Sequence, residues 1–360
     1  MTEAISSGVR IAGICAAVPS NVIDNRIFGL ELFGEELEGV IRATGVEKRR
    51  VCPRDSGVTA LDLAVFAARK LQSEGAYQPD EIGGVVFVTQ TPDYPLPNNS
   101  TQAQHQLGLS KQVAALDVDL ACSGYVYGLW IGSMMVQSLN KPVLLLDAET
   151  HSYFVSPKDK TTALLFGDAG TATLLVPDPE GIPWHFEFET DGSLGEALCV
   201  PEGGSRGMIN EQSALYREYP DGGIRRPIDM RMDGMAVFNF VVTRAPSCLN
   251  TLMSRINKTA ADFDVLALHQ ANLYMIRQVA KKIGFDPKTL PISLDKYGNS
   301  SSPTIPVTLA SELHQQIESQ KLKVLAAGFG GGLSLGAVSF SIGPCICPGV
   351  IEYPIAEASK

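Results

Sequence analysis

The sequence has no apolar run near the roughly 18 residues that a membrane-spanning helix needs. Charged residues make up only 19% of its 360 positions, and its mean hydropathy is +0.07. A disordered chain has the opposite composition, so disorder is excluded for most of the protein. Glycine and proline follow no three-residue period, which excludes a collagen helix. We expect a folded protein with no membrane partner.

Positive charge is also scarce, since 29 Lys and Arg face 39 Asp and Glu and the net charge is −10. A nucleic-acid binder needs a concentrated basic face, so we expect no nucleic-acid partner. The seven cysteines form no CxxC pair, and their odd number suits reduced thiols in the cytoplasm. Cys345 and Cys347 are close in sequence, but no histidine pairs with them at zinc spacing, so no metal is expected.

Apolar, β-branched runs of strand length alternate with amphipathic stretches of helical spacing. The predicted strands are residues 85–89, 143–147, 163–176, 265–269, 324–327 and 334–342. Helices are predicted at residues 60–73, 125–139 and 309–317. Residues 11–18 are interpreted as another buried strand and not a signal peptide, because Glu3 precedes them. The alternation indicates an α/β fold.

The order of these elements repeats at a fixed interval of half the chain. Three pairs of features lie 180 residues apart, namely Val85 and Val265, Val143 and Lys323, and Cys122 and Ser302. Equal offsets indicate a duplicated unit, and the alternative is a chance alignment of apolar strands. We predict an N-terminal half at residues 1–180 and a C-terminal half at residues 181–360, with the boundary at residues 177–183. Residues 203–227 are predicted to be an insertion or a surface loop.

The strongest chemical signal is Cys122, in the sequence DLACSG at residues 119–124, directly before a predicted helix. Backbone N–H groups and the helix dipole at such a position favour a thiolate, so we expect the pKa of this thiol to lie below about 8.5. The other six cysteines are interpreted as structural. Cys122 is therefore the candidate nucleophile.

Three further motifs follow Cys122 and supply polar groups for a reaction. His269 ends a predicted strand, at the sheet edge where ligands bind in α/β folds. Asn299 lies in the polar turn YGNSSSP, and the glycine run GFGGG at residues 328–332 allows close approach of a substrate and offers an N–H donor to an oxyanion. A phosphate cradle is not supported, because neither GxGxxG nor GxxxxGK[ST] occurs.

Together these motifs resemble the ketoacyl-ACP synthase III family, and the resemblance extends over nearly the whole chain. It also includes the sequence LFGDAG at residues 165–170. The family implies a thiolase-like fold, a duplicated five-layered α-β-α-β-α architecture with the active site between the halves. By resemblance Cys122 is acylated, His269 and Asn299 bind the thioester carbonyl of the extender, and the N–H groups of Cys122 and Gly331 form the oxyanion hole. The implied substrate-binding residues are Asn272, Gly330, Leu96 and Phe329.

Several positions depart from the family pattern. Where relatives have a Trp and two Arg that grip CoA, this chain has Gly39, Ala43 and Lys160, and Tyr274 replaces an Arg linked to carrier-protein docking. Leu96 replaces a Phe that closes the acyl pocket, so we expect a deeper pocket that accepts chains longer than acetyl. The carrier of the substrate therefore stays open between CoA and an acyl carrier protein.

The resemblance implies a cytoplasmic homodimeric acyltransferase of fatty acid biosynthesis. An acyl-CoA or acyl carrier protein acylates Cys122, and a malonyl thioester then condenses with that acyl group with loss of CO₂. These phosphopantetheine thioesters are substrates, so no bound cofactor is expected. Two alternatives remain, acyl transfer to a hydroxyl, amine or other acceptor in a specialised pathway, and a non-catalytic partner subunit.

Overall fold

Residues 1–355 are described by the computed structural model, in which strands and helices alternate as expected. In chain order the strands are β1 (Thr2–Ser6), β2 (Val9–Pro19), β3 (Val22–Asp24), β4 (Lys48–Arg50), β5 (Gly84–Val88), β6 (Ala114–Val118), β7 (Val143–Glu149), β8 (Ala169–Pro177), β9 (Trp184–Thr190), β10 (Leu198–Cys199), β11 (Arg217–Glu218), β12 (Ile224–Arg225), β13 (Arg231–Met232), β14 (Val265–Leu268), β15 (Leu322–Gly330), β16 (Ser334–Ile342) and β17 (Val350–Tyr353). The helices are α1 (Asn25–Phe28), α2 (Leu30–Phe33), α3 (Leu37–Thr44), α4 (Ala60–Ser73), α5 (Asn99–Gln106), α6 (Gly124–Leu139), α7 (Gly234–Arg255), α8 (Leu273–Lys282), α9 (Leu294–Tyr297), α10 (Thr304–Glu312) and α11 (His314–Ser319).

Two sheets form the framework, and four strands of each follow the same order. The first sheet runs β17-β2-β8-β7-β5-β6 and the second β1-β9-β16-β15-β14, so β2-β8-β7-β5 corresponds to β9-β16-β15-β14. In both runs the last pair is parallel and the other pairs are antiparallel. The duplicated architecture expected from the sequence is confirmed. The terminal strands cross, since β1 pairs with β9 and β17 with β2, and the division at residue 180 stays a prediction.

Helices cover both faces of each sheet and produce five layers. On one outer side α4 packs against β2, β7 and β8, and on the other α7 packs against β9, β15 and β16. Between the sheets, α6 contacts β5 and β7 as well as β15 and β16, while α10 contacts β2, β8 and β14. The starts of α6 and α10 therefore lie in the middle of the molecule.

The sequence of β7 and α6 explains why the middle layer packs closely. Alternate residues of β7 belong to different hydrophobic clusters. Val143 and Leu145 face the middle layer, and Leu144 and Leu146 face the outer helices. Glycines 124, 128 and 132 form a stripe along α6, and a Cβ atom on any of them would lie 2.5–2.7 Å from a side chain of the sheet. The stripe lets the helix lie directly on the strands, which fixes the loop before it.

Two of the predicted elements have different bounds in the structure. The strand predicted at residues 163–176 begins only at Ala169, because the preceding residues form turns that bring the carboxylate of Asp168 to the N–H groups of Cys52 (2.7 Å) and Ser152 (3.0 Å). The helix predicted at residues 309–317 is divided between α10 and α11. Leu313 leaves helical geometry (φ −127°, ψ 8°), and the short α11 then buries Ile317.

Other features bear on function. Residues 203–227 are mostly exposed and include the short hairpin β11–β12, which agrees with a surface loop. None of the helices within residues 1–355 is both long and apolar enough to cross a membrane. In the same part of the chain, no group of three or more His, Cys, Asp or Glu side chains is arranged to hold a metal ion.

Candidate active site

Cys122 lies where the chain turns from β6 into α6, and its side chain is almost completely buried. The end of β15 passes directly beside it. A Cβ atom added to Gly330 would lie 2.6 Å from Cβ of Cys122 and 2.8 Å from its Sγ, closer than such atoms approach. Position 330 therefore needs glycine, because any larger side chain would overlap the side chain of Cys122.

His269 follows β14 directly, and its N–H donates to the carbonyl of Ala327 on β15 at 2.9 Å. Its buried ring lies edge-on to Phe329, with the ring centroids 5.5 Å apart. Nδ1 is 2.6 Å from Oγ1 of Thr304, the first residue of α10. These contacts fix the plane of the imidazole and leave Nε2 as the nitrogen without an assigned contact.

Asn299 is held by its backbone and by its own side chain. Its N–H donates to the carbonyl of Leu165 (2.8 Å), and its carbonyl accepts from the N–H of Gly167 (3.0 Å). Oδ1 accepts a hydrogen bond from the N–H of Ser301 at 2.9 Å. Because the oxygen end of the amide is engaged, the NH₂ group is the end that remains to donate to a ligand.

Two cavities meet at Cys122. The first has a volume of about 460 Å³ and is called the apolar cavity, since most of its lining side chains are aliphatic or aromatic; Cys122, His269 and Asn299 all line it. The second, of about 960 Å³, is called the mixed cavity and includes His151, Ser301 and Cys122 in its wall. The structure thus brings the three predicted catalytic residues together at one cavity, and their roles stay predictions.

The predicted substrate-binding residues are divided among different places. Asn272, Phe329 and Gly330 line the apolar cavity. Gly331, predicted to serve the oxyanion hole, lines the mixed cavity together with Cys122. Leu96 lines neither cavity and is 86% exposed in the isolated chain. The roles of these residues also stay predictions.

The expected low pKa of the nucleophile is wrong for the substrate-free protein. Burial raises the pKa of the Cys122 thiol to about 12; the hydrogen bond with Ser301 opposes this shift, and the nearby acid Glu149 adds to it. Burial likewise lowers the pKa of His269 to about 3. The resting pair is therefore a neutral thiol and a neutral imidazole, and desolvation outweighs the helix start on which the sequence argument relied.

Sequence reasoning missed two hydroxyl residues that support this pair. Oγ of Ser301 lies 3.4 Å from Sγ of Cys122, and Ser301 has a left-handed backbone conformation with φ +64°. Thr304 contacts His269 as described, and its hydroxyl donates a hydrogen bond to the carbonyl of Ser301 at 2.9 Å, so its oxygen accepts from Nδ1–H of His269. The motif NSSSP predicted a polar turn but not these contacts, because a positive φ at serine has no sequence signal.

A buried acid behind the nucleophile was also missed. Glu149 ends β7 and accepts hydrogen bonds from the hydroxyls of Thr91 (2.8 Å) and Ser302 (3.2 Å) and from the N–H of Gln90 (3.1 Å). Burial raises its pKa to about 8 despite these bonds. Two acids in the otherwise apolar sequence VLLLDAE at residues 143–149 were the available signal.

The positions that depart from the CoA clamp lie around the apolar cavity. A Cβ atom at Gly39 would have no neighbour within 4 Å, and the Lys160 ammonium lies 5.7 Å from the ring centroid of Phe33. Tyr274 stacks on Phe238 with the centroids 5.9 Å apart and is half exposed. This stack thus joins the exposed ring of Tyr274 to Phe238, which lines the apolar cavity.

Family models match both segments that hold the predicted catalytic residues. The model of 3-oxoacyl-[acyl-carrier-protein (ACP)] synthase III matches residues 116–192, and the model of its C-terminal part matches residues 253–342. A beta-ketoacyl-[acyl-carrier-protein] synthase III of Rhodopirellula baltica is 32% identical over 353 residues, which cover 92% of this chain and 98% of that protein. The chain belongs to the 3-oxoacyl-[acyl-carrier-protein] synthase III family.

Other relatives agree along the whole chain. Beta-ketoacyl-[acyl-carrier-protein] synthase III 5 of Streptomyces coelicolor is 33% identical over 334 residues, covering 91% of this chain and 96% of that protein. The crystal structure of a 3-oxoacyl-(acyl-carrier protein) synthase from Burkholderia xenovorans has a TM-score of 0.91 at 33% identity, covering 98% and 99% of the two chains. The fold is the thiolase-like fold of the synthase III family, and the protein is an enzyme, an acyltransferase.

Proposed function

We propose that the protein joins an acyl group to a malonyl thioester by decarboxylative Claisen condensation, with Cys122 as the temporary acyl carrier. The observation that carries this proposal is the convergence of a buried thiol, a neutral imidazole and a carboxamide donor on one cavity. The names of the relatives support the same reaction class. It is also the chemistry of fatty acid biosynthesis.

The first half-reaction transfers an acyl group to the thiol. Sulfur of Cys122 attacks the thioester carbonyl, the new S–C bond forms, the C–S bond of the donor breaks, and the thiol proton ends on the departing thiol. Ser301, 3.4 Å from Sγ, is placed to stabilise the developing thiolate. The N–H groups of Cys122 and Gly331 are proposed to stabilise the tetrahedral oxyanion.

The second half-reaction takes place in the apolar cavity. The carbonyl oxygen of the malonyl thioester accepts hydrogen bonds from the NH₂ group of Asn299 and from Nε2 of His269, which stabilise the enolate formed as CO₂ leaves. The enolate carbon attacks the acyl carbonyl, a C–C bond forms, the S–C bond of Cys122 breaks, and its thiolate takes a proton from solvent. The scarcity of polar groups in this cavity protects the enolate from water.

For His269 to donate from Nε2, its Nδ1 must accept a hydrogen bond. Thr304 supplies the only hydroxyl that the described contacts place on Nδ1, at 2.6 Å. In the structure the single proton of the Thr304 hydroxyl goes to the Ser301 carbonyl, so the ring proton of His269 lies on Nδ1. We propose that this hydroxyl turns toward Nδ1 when the extender binds, so that Nδ1 accepts its proton and the ring proton lies on Nε2.

The same proposal makes the protein a cytoplasmic homodimer that accepts acyl thioesters of CoA or of a carrier protein. β6 is an edge strand of its sheet, and its residues are only partly buried in the single chain. An unpaired edge favours pairing with a second copy, and exposed Leu96 lies in the neighbouring loop after β5. Pairing there would cover both features.

The experiment that tests the reaction measures the released CO₂, the condensed product and the acylation of the enzyme. Protein is incubated with an acyl donor and malonyl-ACP labelled in its free carboxyl group, and CO₂ release and the mass of the carrier-bound product are measured together. We expect CO₂ and the condensed product to form in equal amounts, and we expect neither from the Cys122→Ala variant. If Cys122 were acylated but neither CO₂ release nor a lengthened product followed, condensation would be contradicted and another acceptor indicated.

A further inference from the structure

Of the two cavities that include Cys122 within residues 1–355, the mixed cavity is the one that can hold the acyl group during condensation. His269 and Asn299 line the apolar cavity and not the mixed cavity, so the extender must occupy the apolar one. The acyl group stays attached to Sγ of Cys122 while the extender binds. It must therefore extend into the second cavity that meets this sulfur, which makes the wall of the mixed cavity the surface that selects the acyl group.

One buried polar side chain in that wall has no hydrogen-bond partner within residues 1–355. His151 begins a 3₁₀ turn directly after β7, and it is 6% exposed. Its Nδ1 has no hydrogen-bond partner among residues 1–355, and the nearest acid oxygen, Oε2 of Glu149, is 3.9 Å away, beyond hydrogen-bond reach. Burial lowers the pKa of the ring to about 4, so the imidazole is neutral near pH 7.

Three other polar residues of this wall, Thr91, Ser301 and Asn98, differ from His151 because their side chains already have hydrogen-bond partners. Thr91 donates to Glu149 at 2.8 Å and accepts from the N–H of Thr150 at 2.9 Å. Ser301 contacts Cys122, and Asn98 bonds the hydroxyl of Ser100 at 2.7 Å. A buried polar group without a partner is costly, on the order of 1–3 kcal/mol, and a ligand that pairs with it recovers that cost.

We propose that the acyl group accepted by Cys122 bears a hydroxyl on its chain, and that His151 binds this hydroxyl in the mixed cavity. The inference rests on the proposed function and specifies its donor. A neutral imidazole has one donor and one acceptor nitrogen, and a hydroxyl satisfies either, whereas an unsubstituted alkyl chain leaves the ring unpaired. His151 is thus a specificity-determining residue of the acylation step.

The test compares donors that differ only in one hydroxyl. Hexanoyl-pantetheine and its 2-, 3- and 5-hydroxy derivatives avoid the choice between CoA and carrier protein, and acylation of Cys122 is followed by intact-protein mass spectrometry. We expect one hydroxylated donor to acylate with a kcat/KM about tenfold above that of hexanoyl-pantetheine, the effect of one hydrogen bond to an otherwise unpaired group. His151→Leu should remove that preference, and His151→Gln should keep part of it.

His185→Leu is the matched control, because His185 also has a buried Nδ1 that no described residue pairs with, but it lines neither cavity. It should keep the preference of the unmodified protein. Equal acylation by all donors, or a preference that survives in His151→Leu, would overturn the inference while the proposed function stands. Failure of every donor to acylate Cys122 would overturn both.

Discussion

The two helices of the middle layer begin at equivalent places in the two halves, but the residues before them have different surroundings. Gly124 opens α6 and Thr304 opens α10, and Cys122 and Ser302 each stand two residues earlier. The thiol of Cys122 borders both cavities, whereas the hydroxyl of Ser302 is fully buried and donates to Glu149 at 3.2 Å. In the proposed mechanism, the same position in a duplicated fold thus serves as a nucleophile only where a cavity reaches it.

The residues that follow the parallel strands differ in the same way. Thr89 follows β5 and lines the mixed cavity, while His269 follows β14 and lines the apolar cavity. In the proposed mechanism the predicted first half therefore supplies the nucleophile and part of the wall for the acyl group. The predicted second half would supply the donors for the enolate, together with Ser301 and Thr304, so the proposed chemistry requires both halves.

The largest expected effect is the difference between alanine variants of the two equivalent residues, Cys122 and Ser302. Cys122→Ala should abolish the acyl mass gained from a thioester donor, because Cys122 is the one cysteine that lines both cavities, whereas Cys199 lines the mixed cavity alone. Ser302→Ala is the matched variant and should still be acylated, within about tenfold of the original rate, since its hydroxyl supports Glu149 and does not face a cavity. Intact-mass measurements decide both, and an acyl mass retained by Cys122→Ala would contradict the assignment.

The second effect separates the contributions of the halves. His269→Ala and Asn299→Ala should each slow condensation on the order of 100-fold, as loss of an oxyanion donor does. Acylation of Cys122 should change only a few-fold, because these donors act on the extender. Single-turnover kinetics measure the two steps separately. If Asn299→Ala slowed acylation as strongly as condensation, the division between the halves would be wrong.

The third effect concerns pH and the buried thiol. A pKa raised to about 12 keeps the thiol protonated throughout the neutral range, and the thiolate fraction rises tenfold for each pH unit below that pKa. Alkylation of Cys122 by iodoacetamide in the substrate-free protein should therefore rise tenfold per unit from pH 7 to 9 without a plateau. Peptide mass spectrometry follows each cysteine separately. A plateau below pH 9 would indicate that the helix start does outweigh burial.

Helices and strands, which depend on local sequence pattern, could be predicted more accurately than the side-chain contacts of the candidate active site. Residues 60–73 have the helical apolar spacing that α4 shows, and the repeat at 180 residues is visible in the strand order. The sequence predicts a strand at residues 163–168, where the structure has turns, because the apolar residues of a buried turn resemble those of a buried strand in sequence. The pKa of Cys122 and the contacts of Ser301 depend on burial and on residues distant in sequence, so no local pattern encodes them.

The smallest expected effect concerns the loop after β5, which has no counterpart after β14, where Asn272 caps α8 almost at once. Leu96 in this loop is 86% exposed in the single chain, and an exposed leucine beside the edge strand β6 favours burial in a second copy. If Leu96 enters the partner's mixed cavity, Leu96→Trp should fill part of it and shift preference toward short acyl donors by about threefold to tenfold. Leu30→Trp, on an exposed leucine of α2, should leave the preference unchanged. Acyl-donor competition and analytical ultracentrifugation provide the measurements. A monomer at micromolar concentration, or an unchanged chain-length preference in Leu96→Trp, would show that this loop serves its own chain alone.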